Sequence, residues 1–330
     1  VISFFSRSPS QDECERFLFV HIPKTAGTSF RDALDSHMRM VYDYSQGNPV
    51  TSKDVSKYIY QQDNFYDFNK RISSFKNVCI AGHFPVYKYL NFVTPSRIIT
   101  FLRHPVDQVI SHYNHQVKYH NLSCTFEKFI ATPKNVNLQS RMLYRIPLGL
   151  IGFIGLTEQY DCSLKLFNDI YNMELKSLRS NVNDKKNMQK EDLGSELLNE
   201  ILNNNADDLK LYQSALALLK TRSEFNKNTD PKRWVFSHAQ LNNKGNITGC
   251  AFTCGEEDKA VKLELLVNGG ISHQFEAKEF FSEIPKARLP RERYVGFKVA
   301  NKCLPADSEI TIRVVETQQI IFSDKLFTKR

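Results

Sequence analysis

Long apolar runs are absent: nothing in the 330 residues approaches the roughly 20 that a membrane-spanning helix needs. The opening VISFFSRSPSQ is too short and polar for a secretory signal, and because the chain does not begin with Met, loss of a preceding targeting segment stays open. Tryptophan occurs once, at Trp234, where burial in a core is expected over a sugar-stacking role. The seven cysteines, at 14, 79, 124, 162, 250, 254 and 303, are too scattered for a disulfide framework and point to a reducing compartment. Cys250 and Cys254 could pair or hold a metal, but CAFTC has no second ligand pair nearby, so no zinc site is expected. The sequons at Asn121 and Asn246 would matter only in a secreted protein. Also missing is the triphosphatase loop G-x-x-x-x-G-K-[ST], and no carboxylate stands clearly after a strand to hold magnesium.

What is present is a modest basic excess, 44 Lys+Arg against 36 Asp+Glu, which suits an anionic ligand without demanding nucleic acid. After an N-terminal segment, 1–15, residues 16–223 alternate short apolar runs with helical patterns. That alternation predicts an α/β layer: a P-loop-like parallel sheet flanked by helices. Strands are expected at 17–20, 78–82, 97–102 and 151–155. A helix is expected over 105–119, with Pro105 at its first position, and two more over 196–219 around the Asn203-Asn204-Asn205 break. A polar linker, 224–232, leads to 233–330, where strand-like runs separated by turn signals such as Asn268-Gly269-Gly270 predict an all-β sandwich.

FLFVHIPKTAGTSFRDAL, residues 17–34, reads as strand, tight loop and helix, a construction that gathers backbone N–H groups and partial positive charge at a helix start. Gly27 permits close backbone approach, Thr28 and Ser29 add hydroxyls, and Lys24 supplies a point charge from ahead of the glycine, the reverse of a triphosphatase loop. A stiffened turn capped by Thr or Ser is the plainer alternative. Further on, Leu102-Arg103-His104-Pro105 leaves a strand and enters a helix carrying Ser111, so a strand-end guanidinium and a helix hydroxyl could share one phosphate. Two such turns imply a ligand with two separate anionic ends.

HIPKTAGTSF followed by FLRHPVDQVISHY resembles the sulfotransferases that use 3′-phosphoadenosine 5′-phosphosulfate (PAPS), in the carbohydrate branch that includes heparan sulfate 2-O-sulfotransferase and bacterial relatives. The likeness covers about residues 16–222. AGHFP at 81–85, NLQSRML at 137–143 and GLTE at 155–158 add to it, and Asn181-Val182-Asn183 more loosely resembles a late cofactor loop.

The resemblance implies that Lys24, Thr25, Ala26, Gly27, Thr28 and Ser29 hold the 5′-phosphosulfate. Arg103 and Ser111 would hold the 3′-phosphate, Asn181 and Lys185 would lie near the nucleotide, and no metal would take part. A solvated pair is the plainer reading of Lys185 and Lys186. His83, at a strand end after Gly82, is the expected general base, with Glu158 as the alternative. His21 is expected to pack or orient the loop, and His112, His115 and His120 to fall on different faces of one helix. Arg141 is either a surface helix residue or an acceptor or cofactor contact, and Glu158 is the other candidate for acceptor binding.

The expected partner is a carbohydrate or other hydroxyl-bearing acceptor, not nucleic acid or a membrane. The compartment would be the cytoplasm for a bacterial protein, or the Golgi lumen for a eukaryotic one whose anchor is missing. Two rivals stay open: a small-molecule or lipid sulfotransferase, and a non-catalytic nucleotide- or glycan-binding protein. The C-terminal region weakly resembles small sandwich domains attached to bacterial sulfotransferases and glycosyltransferases.

Overall fold

A computed structural model describes residues 16–177, 188–254 and 258–325. The first part is built on five short strands: β1 (Arg16–Val20), β2 (Arg39–Asp43), β3 (Val78–Gly82), β4 (Ile98–Leu102) and β5 (Phe153–Leu156). All four neighbouring pairs are parallel, in the order β2-β3-β1-β4-β5. Every residue of β3, β4 and β5 is buried, which is why these strands read as continuous apolar runs and not as alternating ones. The alternating RMVYD of β2, at the sheet edge, was not among the sequence expectations.

The helices are α1 (Gly27–Asp35), α2 (Phe65–Ser73), α3 (Pro105–His120), α4 (Phe126–Ile130), α5 (Leu138–Met142), α6 (Tyr160–Tyr171), α7 (Ser195–Asn204) and α8 (Ala206–Asn228). Each boundary has a local cause. Helix α1 lays Phe30, Ala33 and Leu34 on the sheet, α2 is capped by the Asn64 side chain, and α3 starts on Pro105 and stops at Asn121 in the left-handed region. Residues 224–228, expected in a linker, form the last turn of α8, because the apolar spacing carries on through Phe225 to pack on Trp234.

Chain order gives the sheet its functional edge. From β1 the chain runs outward to β2, returns to β3, and then crosses β1 to reach β4 on the other side. The winding direction therefore reverses around β1, and a crevice opens beyond the carboxyl ends of β1, β3 and β4, where ligands of open α/β sheets bind.

Among the described residues the C-terminal region contains seven strands: β6 (Val235–Leu241), β7 (Ile247–Thr253), β8 (Lys262–Val267), β9 (Gly270–Glu276), β10 (Gly296–Val299), β11 (Glu309–Val314) and β12 (Ile320–Lys325). They make two antiparallel sheets, β10-β7-β6 and β12-β11-β8-β9, which share one apolar cluster through Val235, Ile247 and Phe297 on one side and Leu263, Leu265 and Ile312 on the other. A larger cluster crosses between the two regions: Trp234, Phe236, Phe252, Phe281 and Val295 belong to the same core as β1, β4 and α6. Trp234 is 4% exposed, in that joint core. At the seam Arg222 is buried, donates from Nη1 to the Gly152 carbonyl, and lies 5.4 Å from the Trp234 ring and 5.3 Å from that of Phe236.

A chain ending at residue 222 leaves the α/β half without its cover over this seam. Loss of one buried Trp or Phe costs about 3–5 kcal/mol against a total stability of about 5–15 kcal/mol, so the shortened chain is expected to aggregate or to unfold without a cooperative transition. A soluble 16–222 fragment with a sharp calorimetric transition would show that the two halves do not depend on a shared core.

Candidate functional site

Three strand ends converge on the crevice, each contributing one element. After β1 the backbone turns through His21, Ile22 and Pro23, and Lys24 and Ala26 both take left-handed conformations, at φ 67° and 64°. Neither is glycine, and each such residue costs on the order of 1–3 kcal/mol. Strain of this kind calls for something to hold it, and the turn is held from two sides. Thr25, 1% exposed, donates its hydroxyl to the Ile22 carbonyl at 2.9 Å. From α3, buried Gln108 donates to the Pro23 carbonyl at 3.0 Å, and Arg103, at the end of β4, donates to the Lys24 carbonyl at 3.3 Å. Helix α1 then begins at Gly27 with no side-chain cap.

The structure also explains Gly27 differently from the sequence. A Cβ there would lie 2.0 Å from Cδ2 and 2.4 Å from Nε2 of His21, so the glycine is required by the imidazole packed against it as well as by any ligand. His21 is buried, stacked on Phe19 at 5.5 Å, and meets His83 edge-on with ring centroids 4.7 Å apart.

His83 follows β3, and its backbone N–H donates to the Asp43 carbonyl at 3.0 Å. Its ring is open to the crevice on one side and crowded on the other by His21 and by Tyr44, also edge-on at 4.7 Å. Behind it Asp43, 1% exposed, accepts from Lys88 at 2.5 Å, Tyr60 at 2.6 Å and Tyr89 at 2.8 Å. Burial alone would raise the Asp43 carboxyl, but these donors outweigh it and hold it below the usual carboxylate range. The network fastens the end of β2 to the turn after β3 and so fixes where His83 stands.

Electrostatically the crevice is cationic with neutral imidazoles. Desolvation, then repulsion from Arg103, pulls the Lys24 ammonium down. Desolvation, then His112, Arg31 and His115, pushes His83 down to about 4. His112 falls to about 4 for the same first reason, aided by His115 and Lys24, and His115 is lowered too. His112 and His115, expected on different faces of α3, both oppose protonation of His83, and Lys24 opposes theirs. Their spacing of three residues, near one helical turn, was the signal for a shared face.

Other expected site residues also make structural contacts, and some lie outside the described residues. Arg141 donates from Nη1 to the Pro133 carbonyl at 2.6 Å and from Nη2 to the Lys134 carbonyl at 2.9 Å, which fastens the loop before α5. Glu158 accepts the His104 backbone N–H at 2.8 Å, at the start of α3. Ser111 is half-buried on α3, Thr28 is half-buried and Ser29 buried in the first turn of α1, and Asn181 and Lys185 lie outside the described residues. Within the NLQSRML stretch the structure singles out Gln139, wholly buried, which brackets the Arg103 backbone by accepting from its N–H at 3.0 Å and donating to its carbonyl at 2.8 Å. Asp208 of α8 caps α5 in turn, accepting from the N–H groups of Gln139 and Ser140.

Cys250 and Cys254 are both free thiols, and among the described residues no group of three or more His, Cys, Asp or Glu could hold a metal ion. No helix among them is long and apolar enough to cross a membrane.

Comparison with protein-family models gives no match, and comparison with curated proteins gives none either. Among solved structures the chain is similar to a sulfotransferase from Alicyclobacillus acidocaldarius, at 17% identity and a TM-score of 0.35, over 62% of this chain and 96% of that one. At that TM-score the likeness carries no weight for function, which must be read from the chain's own residues.

Gly27→Ala tests the loop. The new methyl displaces the His21 ring and is expected to lower stability by about 1–3 kcal/mol, the usual cost of overpacking, and to abolish anion binding at the turn. Unchanged melting and anion affinity would mean that His21 does not pack where the structure has it.

Proposed function

We propose that the chain is a PAPS-dependent O-sulfotransferase with a carbohydrate acceptor. The observation that carries the reading is the meeting of three strand ends at one crevice: an uncapped helix start with left-handed Lys24 and Ala26 after β1, Arg103 tied to the Lys24 carbonyl after β4, and a neutral imidazole, His83, after β3. The residues fit such a donor. Lys24 has no acidic partner among the described residues and loses charge affinity beside Arg103, a repulsion that a bound dianion would relieve. The sequence likeness of the two βα turns to PAPS-dependent enzymes supports the same assignment.

In this reading Lys24 and the N–H groups at the start of α1 hold the 5′-phosphosulfate, with Ala26, Gly27, Thr28 and Ser29 shaping the turn and Thr25 bracing it from inside. Arg103, with Ser111 eight residues on, takes the 3′-phosphate. An acceptor hydroxyl attacks sulfur in line. A bond forms from the acceptor oxygen to sulfur, the bond from sulfur to the bridging phosphate oxygen breaks, and the hydroxyl proton passes to His83 Nδ1 or Nε2. Lys24 and the helix start stabilise charge on the departing phosphate, which leaves as 3′-phosphoadenosine 5′-phosphate. In the same reading the C-terminal sheets are an accessory β-sandwich, and the transfer calls on neither nucleic acid nor metal.

Cofactor recognition is checked by melting. 3′-Phosphoadenosine 5′-phosphate should raise the melting temperature well above the shift given by adenosine 5′-phosphate, and Arg103→Ala should erase most of that difference, since a charged hydrogen bond is worth about 1.5–3 kcal/mol. Equal shifts for the two nucleotides would remove Arg103 and Ser111 from the site. Transfer of labelled sulfate from PAPS, assayed across glycans and small alcohols, decides between the carbohydrate reading and its small-molecule rival.

The base has its own signature. His83→Ala should lower turnover by roughly a hundredfold or more, since general bases contribute about 10² to 10⁴, and should leave nucleotide affinity near that of the wild type. In the free protein desolvation, then His112, Arg31 and His115, pushes the His83 imidazole down to about 4. A bound anion favours the protonated ring and so raises that value, which places the acid limb of the rate at saturating donor above about 4. Wild-type turnover in His83→Ala, under conditions where chemistry limits the rate, would move the base elsewhere.

A further inference from the structure

Tyr44 comes immediately after β2 and joins groups to which the reaction assigns no role. Its hydroxyl lies 2.8 Å from His21 Nδ1, and Arg31 Nη1 donates to the same oxygen at 3.3 Å. A guanidinium has only donors, so the Tyr44 oxygen is the acceptor from Arg31. Among the described residues the hydroxyl has no other acceptor, so it can give its proton to His21 Nδ1, and that is the direction inferred. A nitrogen that accepts carries no hydrogen, so the imidazole proton of His21 sits on Nε2. That atom faces the first residue of α1, 2.4 Å from where a Cβ of Gly27 would be, while the ring meets His83 at 4.7 Å. One buried imidazole thus touches both the anion turn and the candidate base.

We propose that Arg31 and Tyr44 form a relay that fixes His21 as its Nε2–H tautomer, making His21 a positioning residue that keeps the Gly27 turn and His83 in one geometry. The roles of the turn and of His83 rest on the sulfotransferase reading; the tautomer does not. Arg31 is itself oriented, by Asp32, whose carboxylate takes Nε at 2.9 Å and Nη2 at 2.7 Å. The surroundings of His21 keep it neutral: burial first, then His83 from the end of β3, Arg31 from α1 and Lys24 from the turn, with no carboxylate among them. A protonated His21 would carry a hydrogen on Nδ1, directed at the Tyr44 proton, and would add positive charge beside Arg31 and Lys24, so protonation breaks the relay.

Long-range ¹H–¹⁵N spectra of histidine-labelled full-length protein report the tautomer of each ring without turnover. Wild-type His21 is expected to show the Nε2–H pattern at neutral pH. In Tyr44→Phe that pattern should give way to a mixture of tautomers and the His83 signals should move. Turnover with PAPS should fall about tenfold, as expected for loss of roughly one hydrogen bond, with affinity for 3′-phosphoadenosine 5′-phosphate within about twofold of wild type. Arg31→Gln, which leaves the tyrosine in place, should shift His21 in the same direction by a smaller amount, and provides the reading if Tyr44→Phe is poorly folded. A wild-type His21 that is Nδ1–H or protonated at neutral pH overturns the relay, as does an unchanged tautomer in both variants. If the tautomer responds as expected but no acceptor receives sulfate, the relay stands and the sulfotransferase reading is the part that fails.

Discussion

The parallel register of β1 against β3 and β4 is the constraint on which the crevice depends. Val20 pairs with Gly82 on one side and Thr100 on the other, and the Thr100 hydroxyl donates to the Val20 carbonyl at 2.9 Å. One residue beyond, the His21 N–H takes the Gly82 carbonyl at 3.0 Å, and the His83 N–H takes that of Asp43 at the same distance. A slip of one residue would turn every side chain to the opposite face, sending His83 into the helix layer. Gly82 guards against that slip, because any Cβ there would stand 1.9 Å from the Asp43 carbonyl oxygen.

Upon that frame the molecule accepts local costs. Two non-glycine residues sit at positive φ in one turn, and Lys24, Arg31 and Arg103 gather around imidazoles that are driven to the neutral form. Positive φ alone does not single the crevice out, since Arg291, Glu292 and Arg293 share it; what is particular here is the strained turn together with the gathered cations, the pattern expected of a binding site. An anion bound there would offset the repulsion and, binding only the folded state, would lower that cost. Neutral imidazoles can take or direct a proton without adding to that positive charge.

Support for the turn comes from residues distant in sequence. Gln108 and Arg103 hold its carbonyls, Gln139 brackets Arg103, and Asp208 caps the helix on which Gln139 sits. The anion turn is thus the end of a chain of hydrogen bonds that reaches α8, and α8 carries the buried Arg222 at the seam with the antiparallel sheets. The C-terminal sheets contribute Trp234 and Phe236 to the core beneath the parallel sheet, which ties them to the stability of the frame that aligns the site.

Much of this was legible in the sequence, because its signals are local. The apolar runs of β1, β3, β4 and β5, Pro105 at the start of α3, the turn around Lys24 and Gly27, and the strand-end positions of His83 and Arg103 follow from periodicity and from what proline and glycine allow. The likeness to PAPS-dependent enzymes rests on those same short stretches. Edge strand β2 escaped notice because an alternating five-residue run bounded by charge gives a weak signal. Tertiary structure alone decided which polar groups meet. Arg141, a candidate ligand contact, fastens a loop; His112 and His115, expected on different faces of α3, both act electrostatically on His83; Gly27 makes room for His21. Such outcomes depend on contacts between residues tens of positions apart, such as His21 with Tyr44 and Arg103 with Gln139. Sequence spacing constrains neighbours along a helix or strand, but it holds no information on where two separate elements cross.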